Sequence, residues 1–493
     1  MTAHLYLSTP AQADAARLVW LDIPSDLLTP VRAFLALRAA GHHLCLLESA
    51  EGPNRIARFS FLGVDPTARV RAGEDSAVLS DAGGDERLEG TPQEVMAELV
   101  ARHAQPLAPA GLPPFRGGWV GWFAYEWAGL IEPTVRRARN DPWGLPLAEF
   151  HLYTTVVAFD HATQRAVLLT ACPDGAGGFE QAAAALETLA AELGGEPAGD
   201  TSFSLHGGEP RCSMTREQFL EGVESLKESI AAGDAFQAVL AQRFEHDFTG
   251  DGFSLYRALR LTNPSPHMFF FQGADLTLVG SSPERLVAVE GRRVQNRPIA
   301  GTRARSADPD EDDRLAAELL SDRKERAEHD MLVDLARNDL GRVARAGSVL
   351  VKEHAALEKF AQVQHLVSRV ECELAVNRTP LDALVASFPA GTVSGAPKVK
   401  AMDLVAQLEP DTRGPYAGSF GYLDTSGNFD MAITIRTFAI KGSTVSVQAG
   451  AGIVFDSDPE REYTETLEKA QALFEALRLA DSGAFTAGGG GAR

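Results

Sequence analysis

The sequence has few cysteines and an excess of acidic over basic residues. Its four cysteines, Cys45, Cys172, Cys212 and Cys372, lie far apart and form no C-x-x-C motif. This spacing argues against a disulfide framework or a zinc site, and it predicts the reduced thiols that are usual in the cytoplasm.

The formal net charge is -21 at pH 7. Because nucleic acids and anionic membranes attract proteins through Lys and Arg, neither is an expected partner.

Long apolar runs and nucleotide-binding motifs are also lacking. No stretch is long enough to cross a bilayer, and the segment MTAHLYLSTPAQADAARL has no basic start followed by an apolar run, so we expect a cytoplasmic protein. GTVSGAPK (391–398) lacks the Walker spacing, and QAGAGIV (448–454) lacks the third glycine of a dinucleotide site. Glycines in both segments let a ligand carboxylate approach the backbone. Tight turns with positive φ explain each segment equally well when it is considered separately.

The composition is that of a large globular protein. With 493 residues, 45% of them hydrophobic and 23% charged, the chain can bury a sizeable core and form two or three domains. We predict an amino-terminal region over 1–170, with strand-like runs such as HLYTTVVAF (151–159), and a linker region with one alanine-rich helix over 171–212. A further region over 213–480, which begins with a helix ending near Gly233, and a flexible tail over 481–493 follow.

Two pairs of glutamates occur at a spacing of three residues in segments with helical periodicity. The pairs are Glu325 with Glu328, and Glu462 with Glu465. Residues three apart lie on one face of a helix, so both pairs can point into one cleft. Carboxylate oxygens suit Mg²⁺, which usually takes one or two carboxylates and keeps several waters, so four acids imply inner and outer ligands. For either pair alone, a solvated helix face is the better interpretation.

Five further motifs follow one another in the carboxyl-terminal half. They are PIAGTR (298–303), FPAGTVSGAPK (388–398), YAGSFGYLD (416–424), AITIRT (432–437) and QAGAGIVFDSDP (448–459). Together with the acidic helices, these motifs resemble the chorismate-binding enzymes over about 270 residues from Arg211 onward, and the shared order of so many motifs makes the resemblance specific. It implies an α+β fold, with largely antiparallel sheets packed in a sandwich and helices outside.

The resemblance also implies that 1–170 is a regulatory and structural region and 213–480 the catalytic region, and it implies roles for individual residues. Its magnesium site falls on the four glutamates, with Mg²⁺ as the cofactor. Its catalytic positions fall on Glu284 as general acid, on His365 for a later elimination and on Thr392 for orienting the substrate. Its substrate-binding positions fall on Gly301, Thr302, Gly391, Tyr416, Arg436, Gly450, Gly452 and Lys469.

The residues themselves agree with these roles but permit others. Chorismate carries two carboxylates, and Arg436 on an alternating strand would present a rigid fork for one of them. Lys469 lies four residues after Glu465, where a salt bridge between the two is the simpler interpretation. Glu284 would need desolvation or a nearby negative charge to stay protonated, and it is otherwise a helix-start carboxylate. His365 suits proton transfer near neutral pH, and it is otherwise a hydrogen-bonded core residue.

The reaction implied by the resemblance replaces the 4-hydroxyl of chorismate with ammonia at C2. Loss of the enolpyruvyl side chain as pyruvate then leaves anthranilate. Family members that activate water have a lysine base at the position of Gln237, and others have a lysine nucleophile at the position of Ala300. Glutamine cannot act as a base, so free ammonia is the implied nucleophile. An aminodeoxychorismate or aminodeoxyisochorismate synthase, or a catalytically silent aromatic-amino-acid sensor, are the alternatives.

Two other segments resemble the tryptophan-sensing parts of the family, namely HLCLLESAEGPNRIARFSFLG (43–63) and NPSPHMFF (263–270). They imply that L-tryptophan inhibits by binding at Glu48, Ser49, Pro266, His267 and Met268, although His267 replaces the usual tyrosine. From the residues alone, a buried strand and a rigid proline loop are the better interpretations. No nucleophilic cysteine in a glutaminase context is visible, so the resemblance implies that a separate glutamine amidotransferase subunit supplies ammonia.

Overall fold

The computed structural model describes residues 4–7, 17–49, 58–104, 111–136, 138–172, 175, 177–197, 201–360 and 363–485. Within these residues, two large antiparallel sheets form the framework and helices flank them. The predicted α+β class is confirmed. In the same residues, no helix is both long and apolar enough to span a bilayer.

The first sheet contains strands from both ends of the chain. Its order is β1 (His4–Leu7), β2 (Arg17–Pro24), β11 (Arg165–Cys172), β10 (Thr155–Asp160), β4 (Phe59–Val64), β3 (Leu44–Glu48), β14 (His267–Gln272), β15 (Thr277–Ser282), β24 (Thr437–Lys441), β25 (Thr444–Ile453), β13 (Gln237–Gly250) and β12 (Phe203–Cys212). The short strand β21 (Gly395–Ala396) pairs with the start of β13.

The second sheet is also assembled from distant segments. Its order is β18 (Ile299–Ala304), β20 (Val363–Glu373), β17 (Arg293–Asn296), β16 (Arg285–Glu290), β23 (Phe429–Ile433), β22 (Ser419–Asp424), β8 (Gly118–Phe123), β9 (Ala148–Tyr153), β5 (Ala68–Ala72), β6 (Ser76–Asp81) and β7 (Gly84–Glu89). Strand β19 (Leu350–Lys359) pairs with β20 on its free side.

Several of the helices begin at residues whose side chains accept hydrogen bonds from the first helical turn. They are α1 (Pro30–Ala39), α2 (Pro92–Arg102), α3 (Ala128–Ile131), α4 (Gly178–Leu193), α5 (Arg216–Ala231), α6 (Phe253–Thr262), α7 (Pro309–Ser321), α8 (Arg323–Gly341), α9 (Pro380–Ser387), α10 (Gly391–Ser394), α11 (Lys398–Leu408) and α12 (Pro459–Asp481). A threonine cap followed by proline starts α1, α2 and α9, because threonine satisfies a free N–H and proline needs none there. Helix α5 begins after Thr215 and ends at Ala231, which confirms the predicted helix.

The two sheets pack face to face. Phe269 of β14 stacks on Phe420 of β22 with ring centroids 3.9 Å apart, and Trp122 and Tyr153 of the second sheet are buried in the same cluster. Helices α1, α4, α6 and α12 cover the outer face of the first sheet, whereas α2, α8 and α9 cover the second. Burial of aromatic side chains between the sheets, at about 1.5–3 kcal/mol for a phenylalanine, makes this layer a main source of stability.

Two features differ from the pattern expected from the sequence. The run HLYTTVVAF is interrupted at Thr154, so β9 and β10 lie in different sheets. The segment 171–212 contains the expected alanine-rich helix, α4, but also strand β12, which pairs with β13. Because β14 lies between β3 and β15, the amino-terminal and catalytic regions share one sheet. The domain boundaries stay predictions, and residues 486–493 of the tail lie outside the described residues.

Candidate active site

A cleft lies between α8, the α10 turn and the start of β16. Its lining includes Glu284, Gly391 and Thr392, together with Leu335 of α8 and Ile433 at the end of β23. The structure therefore brings together the predicted general acid and two residues of the GTVSGAPK motif, although more than a hundred residues separate them in the sequence.

Glu284 lies in the connection from β15 to β16, so the helix-start interpretation is wrong. Its N–H donates to Ser282 Oγ at 3.3 Å, and its carbonyl accepts from Ile433 N at 3.0 Å. Thr392 Oγ1 donates to Glu284 Oε1 at 3.1 Å. Burial raises the pKa of the Glu284 carboxyl to about 8, whereas the Thr392 hydrogen bond and the charge of Lys469 act in the opposite direction. The carboxyl is therefore mainly protonated at neutral pH and can donate a proton.

The glycines of the predicted substrate site provide space rather than unusual backbone angles. Gly391, Gly450 and Gly452 do not have positive φ, so the tight-turn interpretation is wrong for these three. A Cβ atom at Gly391 would lie 1.9 Å from Leu335 Cδ2, and one at Gly452 would lie 2.5 Å from Gln237 Nε2. Any larger side chain would displace these neighbours. Gly301, by contrast, has a φ of 74°, which favours glycine.

Arg436 is not on a strand, contrary to the prediction from the alternating run AITIRT. It lies between β23, which belongs to the second sheet, and β24, which belongs to the first. The chain must turn sharply to pass between the sheets, and Arg436 has a φ of 50°, a value that is uncommon for a residue with a Cβ. Its guanidinium forms no hydrogen bond or ion pair with the described residues. It is thus a partly buried cation that is available to a carboxylate.

Two further predicted substrate contacts, Lys469 and Tyr416, are also polar groups. Lys469 Nζ donates to Glu465 Oε1 at 2.7 Å and to the carbonyl oxygen of Gly450 at 3.0 Å. The simple salt bridge therefore exists, and the same ammonium ties α12 to the glycine-rich end of β25. Burial raises the pKa of Tyr416 to about 12, so its hydroxyl stays a hydrogen-bond donor.

His365 lies on β20, opposite Thr302 of β18. Its Nδ1 is 3.2 Å from the carbonyl oxygen of Gly301 and 3.0 Å from Thr302 Oγ1. The side chain is only partly buried, so it is not a core residue. Burial lowers the pKa of the imidazole, which leaves the ring neutral at pH 7 and able to accept a proton.

The four predicted metal ligands lie on α8 and α12. Burial raises the pKa of Glu328, and the negative charges of Glu325 and Glu465 raise it further. Burial likewise raises the pKa of Glu462, and Glu465 adds to this effect. Glu328 of α8 and Glu465 of α12 therefore repel one another, and a divalent cation would relieve that repulsion.

The four glutamates do not converge on one point as the ligands of a bound metal ion do. In the described part of the chain, no three His, Cys, Asp or Glu side chains converge at the spacing of a metal site. Arg303 Nη1 instead donates to Glu325 Oε1 at 3.1 Å, as Lys469 does to Glu465. Because Mg²⁺ keeps several waters, this donor set fits a hydrated ion. Magnesium binding stays a prediction.

The two predicted tryptophan-sensing segments lie side by side, since Met268 of β14 pairs with Glu48 of β3. The buried Glu48 carboxylate accepts from Arg260 Nε at 3.0 Å and from the hydroxyl of Tyr256. The buried hydroxyl of Ser49 has no hydrogen-bond partner among the described residues. His267 pairs with Ser282, two residues before Glu284, and burial lowers the pKa of His267 to about 4. The segment therefore adjoins the cleft through one strand pair.

One contributor to the cleft was not predicted. Asp339 of α8 lines it, and Lys398 Nζ donates to Asp339 Oδ2 at 3.0 Å and to the carbonyl oxygen of Ser387 at 3.4 Å. This bridge connects α8 and α11 beneath the α10 turn. The lysine of FPAGTVSGAPK is visible in the sequence, but its partner is 59 residues earlier, and no local pattern links the two.

Comparisons with known proteins agree on one family. A family model described as chorismate binding enzyme matches residues 42–475. Anthranilate synthase component 1 of Streptomyces coelicolor is 42% identical over 470 residues, which are 93% of this chain and 88% of that protein. The same component of Thermus thermophilus is 44% identical over 462 residues, which are 93% of this chain and 97% of that protein.

Solved structures show the same relationship. Anthranilate synthase component I of Streptococcus pneumoniae superposes with a TM-score of 0.75 at 36% identity, covering 85% of this chain and 92% of that chain. The menaquinone-specific isochorismate synthase of Escherichia coli superposes with a TM-score of 0.69 at 21% identity, covering 95% and 96%. At that identity, the second match shows the fold alone.

Proposed function

Since the chain belongs to the chorismate-binding enzymes, we propose that it converts chorismate and ammonia to anthranilate and pyruvate, as the large component of an anthranilate synthase. The observation that carries this proposal is the enclosed Glu284 carboxyl, which burial keeps protonated beside Thr392. A leaving hydroxyl needs a proton from such a group. Full-length relatives that are more than 40% identical and carry this name support the same reaction.

The predicted catalytic and substrate-binding residues suit the first half of the reaction. The unpaired guanidinium of Arg436 would bind one carboxylate of chorismate as a fork, and the hydroxyl of Tyr416 would donate a further hydrogen bond. Thr392 would hold the Glu284 carboxyl toward the ring 4-hydroxyl. Glu284 would protonate that hydroxyl as it leaves, while ammonia attacks C2.

The second half requires removal of the ring proton and release of the side chain as pyruvate. His365 has a neutral imidazole, oriented by Gly301 and Thr302, and it would accept or relay that proton. Glu325, Glu328, Glu462 and Glu465 would hold Mg²⁺, which supplies positive charge next to a substrate carboxylate when it is bound. A separate glutamine amidotransferase would supply ammonia, and a cytoplasmic location belongs to the same proposal.

The test is incubation of the purified protein with chorismate, Mg²⁺ and an ammonium salt. We expect anthranilate fluorescence and pyruvate to rise in equal amounts. An aminated product without pyruvate would instead indicate an aminodeoxychorismate or aminodeoxyisochorismate synthase. No turnover, together with binding of an aromatic amino acid, would indicate a sensor and contradict the proposal.

Gln237 is expected to select ammonia over water. Its amide lies against Gly452, a predicted substrate contact, and it carries no base. Gln237→Lys should lower anthranilate formation at least tenfold, on the order of what one misplaced group costs, and should release some isochorismate, which chromatography detects. Gln237→Met is the matched control, since it removes the amide without adding a base. Isochorismate as the main wild-type product would contradict this selection.

Tryptophan is expected to inhibit by binding between Ser49 and the β14 segment. Its indole would be buried there, and it must bind the inactive state more tightly than the active one, because equal binding shifts nothing. Ser49→Phe fills the space beside the unpaired hydroxyl. A steric cost of only about 1.4 kcal/mol weakens binding tenfold, so we expect a tenfold higher inhibitory concentration with uninhibited activity retained. An unchanged inhibition curve would locate the sensor elsewhere.

A further inference from the structure

Arg413 is a buried arginine that connects three separate parts of the catalytic region. Its Nη1 donates to the carbonyl oxygen of Val393 in the α10 turn at 2.7 Å, and its Nη2 donates to the carbonyl oxygen of Val239 in β13 at 2.7 Å. Glu409, at the end of α11, accepts from its Nε at 2.8 Å and from its Nη2 at 2.7 Å. Side-chain exposure is 1% for Arg413 and 6% for Glu409.

The surroundings hold this guanidinium in one orientation. Its central carbon lies 4.3 Å from the ring centroid of Tyr125 and 5.8 Å from that of Tyr416. The backbone N–H groups of Arg413 and Gly414 both donate to the carboxylate of Glu126, at 2.6 and 3.0 Å. Glu409 also accepts from Ala241 N at 2.8 Å. The group is thus fixed on every side by hydrogen bonds or aromatic rings.

A buried ion pair of this kind is weak evidence for stability, because desolvation offsets much of the attraction between its charges. Its position suggests another role. Val393 follows Thr392, which donates to the Glu284 carboxyl, and the Tyr416 ring lies beside the guanidinium. One arginine therefore holds the turn that carries Thr392 and contacts a predicted substrate residue on another segment.

We propose that Arg413, held by Glu409, is a positioning residue that fixes the α10 turn and so keeps Thr392 against Glu284. The inference rests on the proposed function, because it assigns Glu284 as the proton donor. Lysine cannot replace this arginine: an ammonium is a single point charge, whereas the planar fork reaches Val393, Val239 and both Glu409 oxygens at once.

Loosening the turn has a predictable effect on the pH profile. The Thr392 hydrogen bond lowers the pKa of Glu284, and Lys469 of α12 is the charged group that acts on the same carboxyl among the described residues. When Thr392 withdraws, the pKa of Glu284 rises further. Because the acid must be protonated to act, activity is lost as pH rises through that pKa, and the basic limb of the profile moves to higher pH.

The test compares Arg413→Lys, Thr392→Val and the double variant as purified full-length proteins. Arg413→Lys should lower kcat about 10- to 100-fold, which is what a displacement of roughly 1 Å costs, with a smaller change in KM. The basic limb of the pH profile of Arg413→Lys should move to higher pH, as it should in Thr392→Val. The kcat of the double variant should be no lower than that of the less active single variant. The reason is that Arg413 and Thr392 act through one contact, so their losses do not multiply.

Arg293→Met is the matched control for loss of an arginine pair. Arg293 forms a two-point pair with Glu371 at β17, away from the cleft, and its loss should leave kcat and the pH profile unchanged. Urea unfolding reports whether each variant is folded. Glu409→Gln is measured in parallel and keeps the shape of the acid. If Arg413→Lys does not fold, the kcat and the basic limb of Glu409→Gln test the proposal in its place.

Two results would overturn the inference while the proposed function stands. The first is an active wild type with a folded Arg413→Lys variant that keeps its kcat and its basic limb. The second is a double variant in which the two losses multiply, because independent residues behave in that way. A wild type that forms no anthranilate would instead overturn the proposed function, and this inference with it.

Discussion

Glu284→Gln is expected to lower kcat by about 10²- to 10⁴-fold, the range over which general acid catalysis contributes. The amide has the shape of the carboxyl and can still meet Thr392 Oγ1, which lies 3.1 Å away in the wild type. It cannot release a proton to the leaving hydroxyl. KM for chorismate should change little, because the substituted group acts in the transition state rather than in binding. Anthranilate fluorescence under saturating ammonium measures the effect.

The pH dependence gives a second, independent readout. Burial raises the pKa of Glu284 to about 8, so wild-type activity should fall as pH rises through that value. The remaining activity of Glu284→Gln should lack this limb. Retention of more than a tenth of wild-type kcat, or an unchanged basic limb, would show that another group supplies the proton.

Glu284→Gln should not lower stability, although it lowers activity. The folded-state pKa of Glu284 lies above its ordinary value of 4.5, so ionisation opposes folding, and stability declines as pH rises from about 4.5 to 8. Glutamine cannot ionise, and the variant should therefore unfold at a urea concentration no lower than the wild type at pH 8. A large fall in the urea midpoint would indicate a structural role for the carboxyl instead.

Glu465→Gln and Glu325→Gln are expected to abolish turnover at limiting Mg²⁺ while the fold stays intact. Each removes one anionic ligand from a site for a hard cation, which lowers affinity for Mg²⁺. Each also frees a cation, because Lys469 pairs with Glu465 and Arg303 with Glu325. Calorimetry should show Mg²⁺ binding weakened by more than about 10-fold, the lower range for loss of groups that support a metal.

The matched control for this series is Glu468→Gln. Glu468 is exposed and lies on α12 next to Lys469. Its substitution therefore removes the same charge from the same helix and leaves the four predicted metal ligands unchanged. Its Mg²⁺ affinity and turnover should equal those of the wild type. Near-normal rates at limiting Mg²⁺ in both Glu325→Gln and Glu465→Gln would remove the metal assignment.

The local chemistry of the site could be predicted where spacing alone determines it. Residues three apart in a helical segment must share a face, and Glu325 and Glu328 do lie on one helix, α8. Alternation was less informative. In AITIRT it predicts a strand through Arg436, but the chain changes sheets there with a φ of 50°, and alternation carries no signal for such a crossing.

Contacts between distant strands could not be predicted from local pattern. His365 meets Gly301 and Thr302 because β18 pairs with β20 in one register, and a shift of one residue would turn every side chain to the other face. Register depends on packing over the whole sheet. The same limit applies to glycine. The sequence shows that Gly391 has no Cβ atom, but only the position of Leu335 shows that a Cβ atom there would have no room.

The order of strands in the second sheet has a consequence for synthesis of the protein. Strand β8 pairs with β22, and at translation rates of about 5–20 residues per second, the roughly 300 residues between them take about 15 to 60 seconds to emerge. Throughout that interval the nascent chain presents a strand edge next to Trp119 and Trp122, both buried in the finished fold. Unpaired apolar edges recruit other chains. Until β22 emerges, this edge is therefore a place where one nascent chain can pair with another.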